Sequence, residues 1–518
     1  MPGEMSMQQL ALSVSALILG VYIIQRRLTS NARPPPGPRG LPLLGNILQI
    51  PGTHLATNFR KLCEDYGGFV SLNLAGFPVI LIGNMHLAKE ILEKRSASFS
   101  ARPLVPYSLH FDPAQIYWTA VSGQTHFIAR KLTAGVMAGV RAGDTQSLQR
   151  FEALIGMMHL LKGRDWFHEM ERTSTSTALT AIFGLHCPTG EETELKEIIP
   201  WIRDAVSIAS PGASIINALP FLDRIPGPMP WRTRAAAFRK KEDAMYDKFV
   251  TEAIEGKGAG MNTWAAAFAS KDKPEGDQRR LLNIFSLASV DTTASSLHSF
   301  VLASILYPDW ISRARAQLDA IVGPDRLPTF KDRTSLPWVE AVVRETLRWR
   351  PAVRFALPHQ STADEMVEYK GKEYFIRKGS IVFPVTWAIE HDIDRFEDTD
   401  TFNPERFLDT DGQLRPGYET SAFGFGRRVC PGSPFAERTL WINIAMILWA
   451  FNIRKSDQPF EYGAGDEAFI GDITNGPLEF PAVFEARSAR HAEVVWREWE
   501  ECEKDLGVLM PAPQRGGL

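Results

Sequence analysis

Apolar and polar positions alternate in ways that mark several elements before any chemistry is considered. The stretch from Leu10 to Ile24 is uncharged and largely apolar, and Gln25, Arg26 and Arg27 follow it. At about 1.5 Å per residue those positions reach roughly 22 Å, short of a ~30 Å hydrocarbon core, whereas a start at Met5 supplies enough residues to span. A cleaved signal peptide carries its positive charges ahead of the apolar run; here Arg26, Arg27, Arg33 and Arg39 come after it, which predicts a single-pass anchor over residues 1–30 with the rest of the chain in the cytosol. PPPGPRGLPLLGN, Pro34 to Asn46, follows, and clustered prolines there predict a stiff extended hinge over residues 31–46.

Beyond the hinge, FVSLNLAGFPVILI (Phe69 to Ile82) reads as two short strands turning near Gly76, and Ala88 to Lys94 as helix. Leu281 to Tyr307 contains neither glycine nor proline and is apolar on most faces, which predicts a long buried helix stopped by Pro308. KEYFIRKGSIVFPVTW predicts a hairpin turning at Lys378-Gly379. After Arg487, RSARHAEVVWREWEECEKDLG reads as a charged amphipathic helix, expected to be peripheral, before a loose tail. The fold class is therefore mainly α with a minor β-sheet region: a main body over 47–490 and a charged extension over 491–518.

Composition narrows the class. The 518 residues carry a net charge of -3, which gives no general basis for binding nucleic acid. Cys63, Cys187, Cys430 and Cys502 are too scattered for a disulfide framework and suit a reducing compartment. No Asn-x-Ser/Thr sequon occurs, in keeping with a cytosolic body.

The candidate chemistry centres on FGFGRRVCPG, Phe423 to Gly432. Glycines at 424, 426 and 432 allow close backbone approach and positive φ, so that amide N–H groups can point at a Cys430 thiolate. Phe423 and Phe425 can pack on a flat apolar object, and Arg428 can pair with a carboxylate upon it. Phe423-x-x-Gly426-x-Arg428-x-Cys430-x-Gly432 resembles the haem-binding signature of the cytochrome P-450 superfamily, whose haem is held by a cysteine thiolate that favours O–O cleavage. The resemblance implies the P-450 fold, with the long central helix over the haem. It makes Cys430 the axial iron ligand, Phe423 its shield and Arg428 a partner of a haem propionate.

Three further motifs extend the resemblance. In ETLR, Glu345 and Arg348 lie one helical turn apart and can form an ion pair; the family pattern adds Arg406 of FNPERF (Phe402 to Phe407) to that pair as a structural network. ASVDTT (Ala288 to Thr293) puts Asp291 in an apolar helix, where a carboxylate is costly unless paired. By the family pattern Thr292 stabilises bound dioxygen and Asp291 relays protons, with Ser289 standing where a glycine is usual. GQTHFIARKLT aligns Arg130 with a propionate-binding arginine and His126 with a tryptophan, and His359 falls at another propionate-contact position. The family's pocket segments, carried over by position, include Phe285, Ala288, Val353, Phe355 and Ile473, with Arg354 open to either a salt bridge or an anionic group. Their apolar character implies a lipophilic small substrate.

The resemblance is to fungal microsomal members that serve secondary metabolism. It implies haem b, O2, and electrons from NADPH through a separate NADPH–cytochrome reductase, for which Arg427 and Lys131 can supply positive charge. It further implies location in the endoplasmic reticulum membrane, and hydroxylation or epoxidation of a terpenoid, polyketide or indole-derived scaffold. A haem-thiolate isomerase or dehydratase, and a non-catalytic haem sensor, are the competing readings.

Overall fold

The computed structural model describes residues 33–50, 54–74, 76–112, 123–209, 213–269, 277–470 and 473–511. The expected membrane anchor and the tail past residue 511 lie outside them, and among the described residues no helix is long and apolar enough to cross a membrane. The chain forms two compact units.

The first unit holds the described residues up to Pro103, with Phe355–Ile389 and Phe425–Arg428. Helix α1 (Leu55–Tyr66) buries Ala56, Phe59 and Cys63 at helical spacing and ends where Gly67 takes φ +83°. Strands β1 (Phe69–Leu74) and β2 (Phe77–Ile82) pair antiparallel as predicted, next to Gly76 at φ +96°. β2 then pairs in parallel with β6 (Ile381–Pro384), which also holds β3 (His359–Gln360), giving the order β1-β2-β6-β3.

The predicted hairpin at Lys378-Gly379 does not form. Gly379 does turn the chain at φ +84°, but its two arms join different sheets. β5 (Lys372–Ile376) pairs instead with β4 (Glu365–Tyr369). Lys370 and Gly371, at φ +51° and +71°, make the two-residue turn with positive φ at both positions that hairpin twist demands. Alternating hydrophobicity marks a strand without naming its partner. The hinge, too, is more than a spacer: Ser71 N donates to Pro36 O, and Asn46 brackets Asn73 by hydrogen bonds in both directions, so the extended segment lies along the edge of β1. Helix α2 (Met85–Lys89) starts before the predicted Ala88, capped by the Asn84 side chain, and continues as one wider turn over Glu90–Lys94.

The second unit is helical. Its elements include α3 (Gly123–Ala142), α4 (Gln146–Leu161), α5 (Trp166–Phe183), α6 (Thr193–Ala209), α7 (Pro230–Glu255), α8 (Asp277–Leu306), α9 (Ile311–Ile321), α10 (Pro337–Trp349), α11 (Ser433–Ala450) and α12 (Ala489–Glu501), with a two-stranded sheet of β7 (Phe451–Lys455) and β8 (Ala482–Ala486). α8 is the predicted long helix, and it runs without interruption through Ser289. It packs on α5 and α11. α11 is buried on every side from Thr439 to Ala450, as expected of an apolar helix with no polar face.

The C-terminal helix is not peripheral. His491, Val494 and Val495 face inward at helical spacing, both valines join the main apolar core, and Glu498 accepts a hydrogen bond from Leu327 N. Charged residues on its outer face conceal an apolar stripe only a few residues wide.

Candidate active site

The loop before α11 is shaped by its glycines. Gly424 and Gly426 have φ of +73° and +54°, and a Cβ on Gly426 would stand 2.2 Å from Leu92 O. Gly432 departs from expectation: its φ is -80°, so positive φ is not what glycine supplies there. The Phe425 ring is a core residue of the first unit, whereas Phe423 is half-buried against the second unit's core.

Cys430 N donates to Phe423 O at 2.7 Å, which closes the loop. Burial pushes the Cys430 thiol up, while the N–H groups of Gly432 and Ser433 and the Arg130 guanidinium pull it down. Two of those donors open α11, a placement suited to a negative sulfur. Arg130, on α3, is held by a bond from Nη1 to Val429 O at 2.7 Å, and burial lowers its pKa. His126 is half-buried one turn earlier on the same helix.

In the first unit, Arg428 Nε donates to Ser100 O at 2.8 Å. Near it Arg102 donates twice, to Leu357 O and Pro358 O, and its buried Nε has no partner. Burial, aided by the charge of Arg428, lowers the Arg102 pKa to about 9. His359 is buried with Nδ1 2.7 Å from Phe99 O, and burial followed by the charge of Arg102 takes its pKa down to about 3. The ring is therefore neutral, with Nδ1–H pointing at a carbonyl; a neighbouring carboxylate would favour its charged form. Arg102, which the sequence reading passed over, is the clearest anion donor of the three.

These features fit a haem: a sulfur supplied with donors suited to a thiolate, and arginines suited to carboxylates.

On α8, every residue from Leu281 to Ile305 is buried except Ile284, Ala288, Ser289, Asp291 and Thr292, and of these Ala288 is exposed. Ile284, Ala288, Asp291 and Thr292 form one stripe at helical spacing. Thr292 Oγ1 donates to Ala288 O at 2.7 Å, and Ser289 Oγ donates to Phe285 O at 2.6 Å, so both hydroxyls bond back to their own helix. Burial raises the pKa of Asp291; a hydrogen bond from Thr474, which the sequence reading missed, and the charge of Arg203 offset this only in part.

Glu345, Arg348 and Arg406 assemble as predicted. Arg348 grips Glu345 with bonds of 2.6 and 2.8 Å, Arg406 Nε adds one at 3.2 Å, and Asn403 N another at 2.7 Å. Arg348 also donates to the carbonyls of Glu390, Thr399 and Thr401.

The pocket residues are divided. Ala288 is open, and Val353 and Ile473 are half-buried. Phe285 sits in the core, edge-on to Trp264, and Phe355 packs edge-on against Phe59 and Phe383 in the first unit. Both phenylalanines are occupied with core packing. Arg354 takes the salt-bridge option, 3.0 Å from Asp466 and over the Phe469 ring.

The cytochrome P450 family model matches residues 35–463. Among curated relatives, cytochrome P450 monooxygenase 58 of Postia placenta is 33% identical over 465 residues, covering 86% of this chain and 87% of its own. Cytochrome P450 monooxygenase claR of Ampulloclitocybe clavipes is 31% identical, covering 95% and 93%. Cytochrome P450 monooxygenase FrzL of a Cladobotryum species is 29% identical, covering 94% of each chain. With the cysteine loop and the buried Glu–Arg pair already in place, the chain belongs to the cytochrome P450 family.

Proposed function

We propose that this enzyme is a haem-thiolate monooxygenase that hydroxylates or epoxidises a lipophilic small molecule of fungal secondary metabolism, a terpenoid, polyketide or indole-derived scaffold. The observation that carries the reading is the supply of Gly432 N–H, Ser433 N–H and Arg130 to the Cys430 sulfur. Membership of a family whose curated relatives are named monooxygenases supports it.

When bound, haem b supplies the redox chemistry of oxygen, and the protein supplies ligand, orientation and protons. Cys430 is the metal ligand. Arg428, Arg130 and Arg102 are donors for the propionates, and His126 and His359 are weaker candidates for the same role. Asp291 is the proton donor on the open stripe of α8. Thr292, whose hydroxyl bonds to Ala288 O, supplies the hydroxyl available to orient oxygen once haem is bound. The neighbouring apolar side chains Ile284 and Ile473 favour a lipophilic substrate.

Electrons come from NADPH through a separate reductase, whose acidic surface the exposed Arg427 and Lys131 suit. The apolar run before the hinge anchors the enzyme in the endoplasmic reticulum membrane, facing the cytosol. The test is turnover of lipophilic extract with reductase, NADPH and isotopically labelled O2. One labelled oxygen atom enters each product molecule; product that forms equally without NADPH or O2 would overturn the assignment.

A further inference from the structure

The stripe of α8 leads to a second carboxylate. Ser174 on α5 donates to Val290 O at 2.7 Å and lies 3.3 Å from Ser289 O, which sets this part of α5 against α8 next to Asp291 in the chain. Glu171 lies three residues before Ser174 on α5 and His168 three before Glu171, so each is a helical neighbour of the next. Glu171 is half-buried, and its carboxylate is 3.5 Å from Arg203 Nη2 on α6. Arg203 also acts on Asp291, so one exposed guanidinium serves two carboxyl groups on facing helices. At the surface, His168 Nδ1 is 2.8 Å from Asp165, and Glu479 joins them.

We propose that Glu171 relays protons between the solvent-facing His168, Asp165 and Glu479 group and Asp291, with Arg203 as the positioning residue that keeps the two carboxyls in register. The inference rests on the reading of Asp291 as proton donor. Oxygenation follows RH + O2 + 2 e− + 2 H+ → ROH + H2O, so protons must arrive in step with the reductase's electrons. Asp291 gives up its proton to the reaction and takes one from Glu171, Glu171 takes one from the surface group, and solvent water restores the surface group, so that no net charge is left behind.

Physical chemistry favours these two groups for the task. Burial raises the pKa of Glu171, with the charges of Asp291 and Glu479 adding to it and those of Arg203 and His168 opposing. Asp291 is raised as well. Both groups are thereby moved toward working pH, where a carboxyl can gain and lose a proton readily. The path runs from the surface group of His168, Asp165 and Glu479 through Glu171 on α5 to Asp291 on α8, with Arg203 of α6 beside Glu171.

Two measurements on the full-length holoenzyme test this. The first is infrared titration of protonated carboxyl bands, which needs no turnover. The band lost in Glu171→Gln should titrate at lower pH in Asp291→Asn, because a repelling neighbour has gone. A band that does not move shows that the two groups do not communicate and overturns the relay. The second is substrate-free NADPH oxidation in the reductase-reconstituted holoenzyme, in H2O and in D2O. Glu171→Gln should slow it by about 10-fold or more and enlarge the solvent isotope effect, with Glu171→Asp restoring part of both.

If Asp291→Asn enlarges the isotope effect while Glu171→Gln and Glu171→Asp leave it at the wild-type value, the relay falls and the reading of Asp291 stands. If Asp291→Asn leaves it unchanged, both fall. Should Glu171→Gln not fold, the band that moves in Asp291→Asn is matched to Glu171 through Glu171→Asp, and the same outcomes apply.

Discussion

Glu345 and Asp291 are both carboxylates on helices of the second unit, and their surroundings differ in kind. Glu345 is fully buried and accepts from Arg348 twice, from Arg406 and from Asn403 N. Asp291 lies on the open stripe of α8 with one bond from Thr474, and its charge is only partly compensated. A buried charge with every lone pair satisfied is fixed, and breaking it is expensive. A carboxyl left short of partners keeps a proton to give. The same residue chemistry thus serves structure in one place and reaction in the other, and satisfaction of hydrogen bonds separates the two.

The largest effect should come from breaking the satisfied pair. Glu345→Ala leaves the Arg348 guanidinium buried without its carboxylate, at a cost of about 3–5 kcal/mol. Denaturant unfolding of the holoenzyme measures it, and a loss below about 1 kcal/mol would erase the distinction drawn above.

Asp291→Asn should act with opposite signs on stability and activity. A carboxyl whose pKa is raised on folding contributes stability that is fully present below its unfolded value and lost as pH rises through its folded value. Asparagine has no such loss. Across that window the difference in unfolding free energy should drift in the variant's favour with increasing pH, while turnover falls by roughly 100-fold or more. Unfolding at a series of pH values checks the first half and reconstituted NADPH oxidation the second; a variant destabilised in parallel with its loss of activity would make Asp291 a second Glu345.

Thr292→Val should be the mildest. The hydroxyl it removes bonds within its own helix, so stability changes by less than about 1 kcal/mol. The fraction of NADPH electrons lost to peroxide should rise, as measured by peroxide yield. An unchanged yield would leave the hydroxyl with its local bond alone.

How far the sequence could be read follows the range of each interaction. α8 was legible because nothing in Leu281 to Tyr307 breaks a helix. Cys430, Glu345 and Arg348 were legible because each sits in a short motif with one near partner, Gly432 and Ser433 for the sulfur and Arg348 for Glu345. The distant partners Arg130 and Arg406 came from the family resemblance. Strand pairing was not: Lys372–Ile376 shows the alternation of a strand, but burial and turn geometry chose Glu365–Tyr369 as its mate. Arg102, Glu171 and Thr474 were missed for a related reason. Each is an ordinary polar residue in sequence, and it becomes notable only where the fold brings it to Leu357 O, to Arg203 or to Asp291. The C-terminal helix carried a signal that was read too weakly, since His491, Val494 and Val495 are spaced as a docking stripe.

Thiolate ligation by Cys430 is what all of this depends on. Reducing the purified holoenzyme under carbon monoxide measures it directly. The account predicts the strongly red-shifted Soret band of a thiolate-bound haem, absent in Cys430→His. A folded, haem-loaded protein whose band is not red-shifted would contradict it.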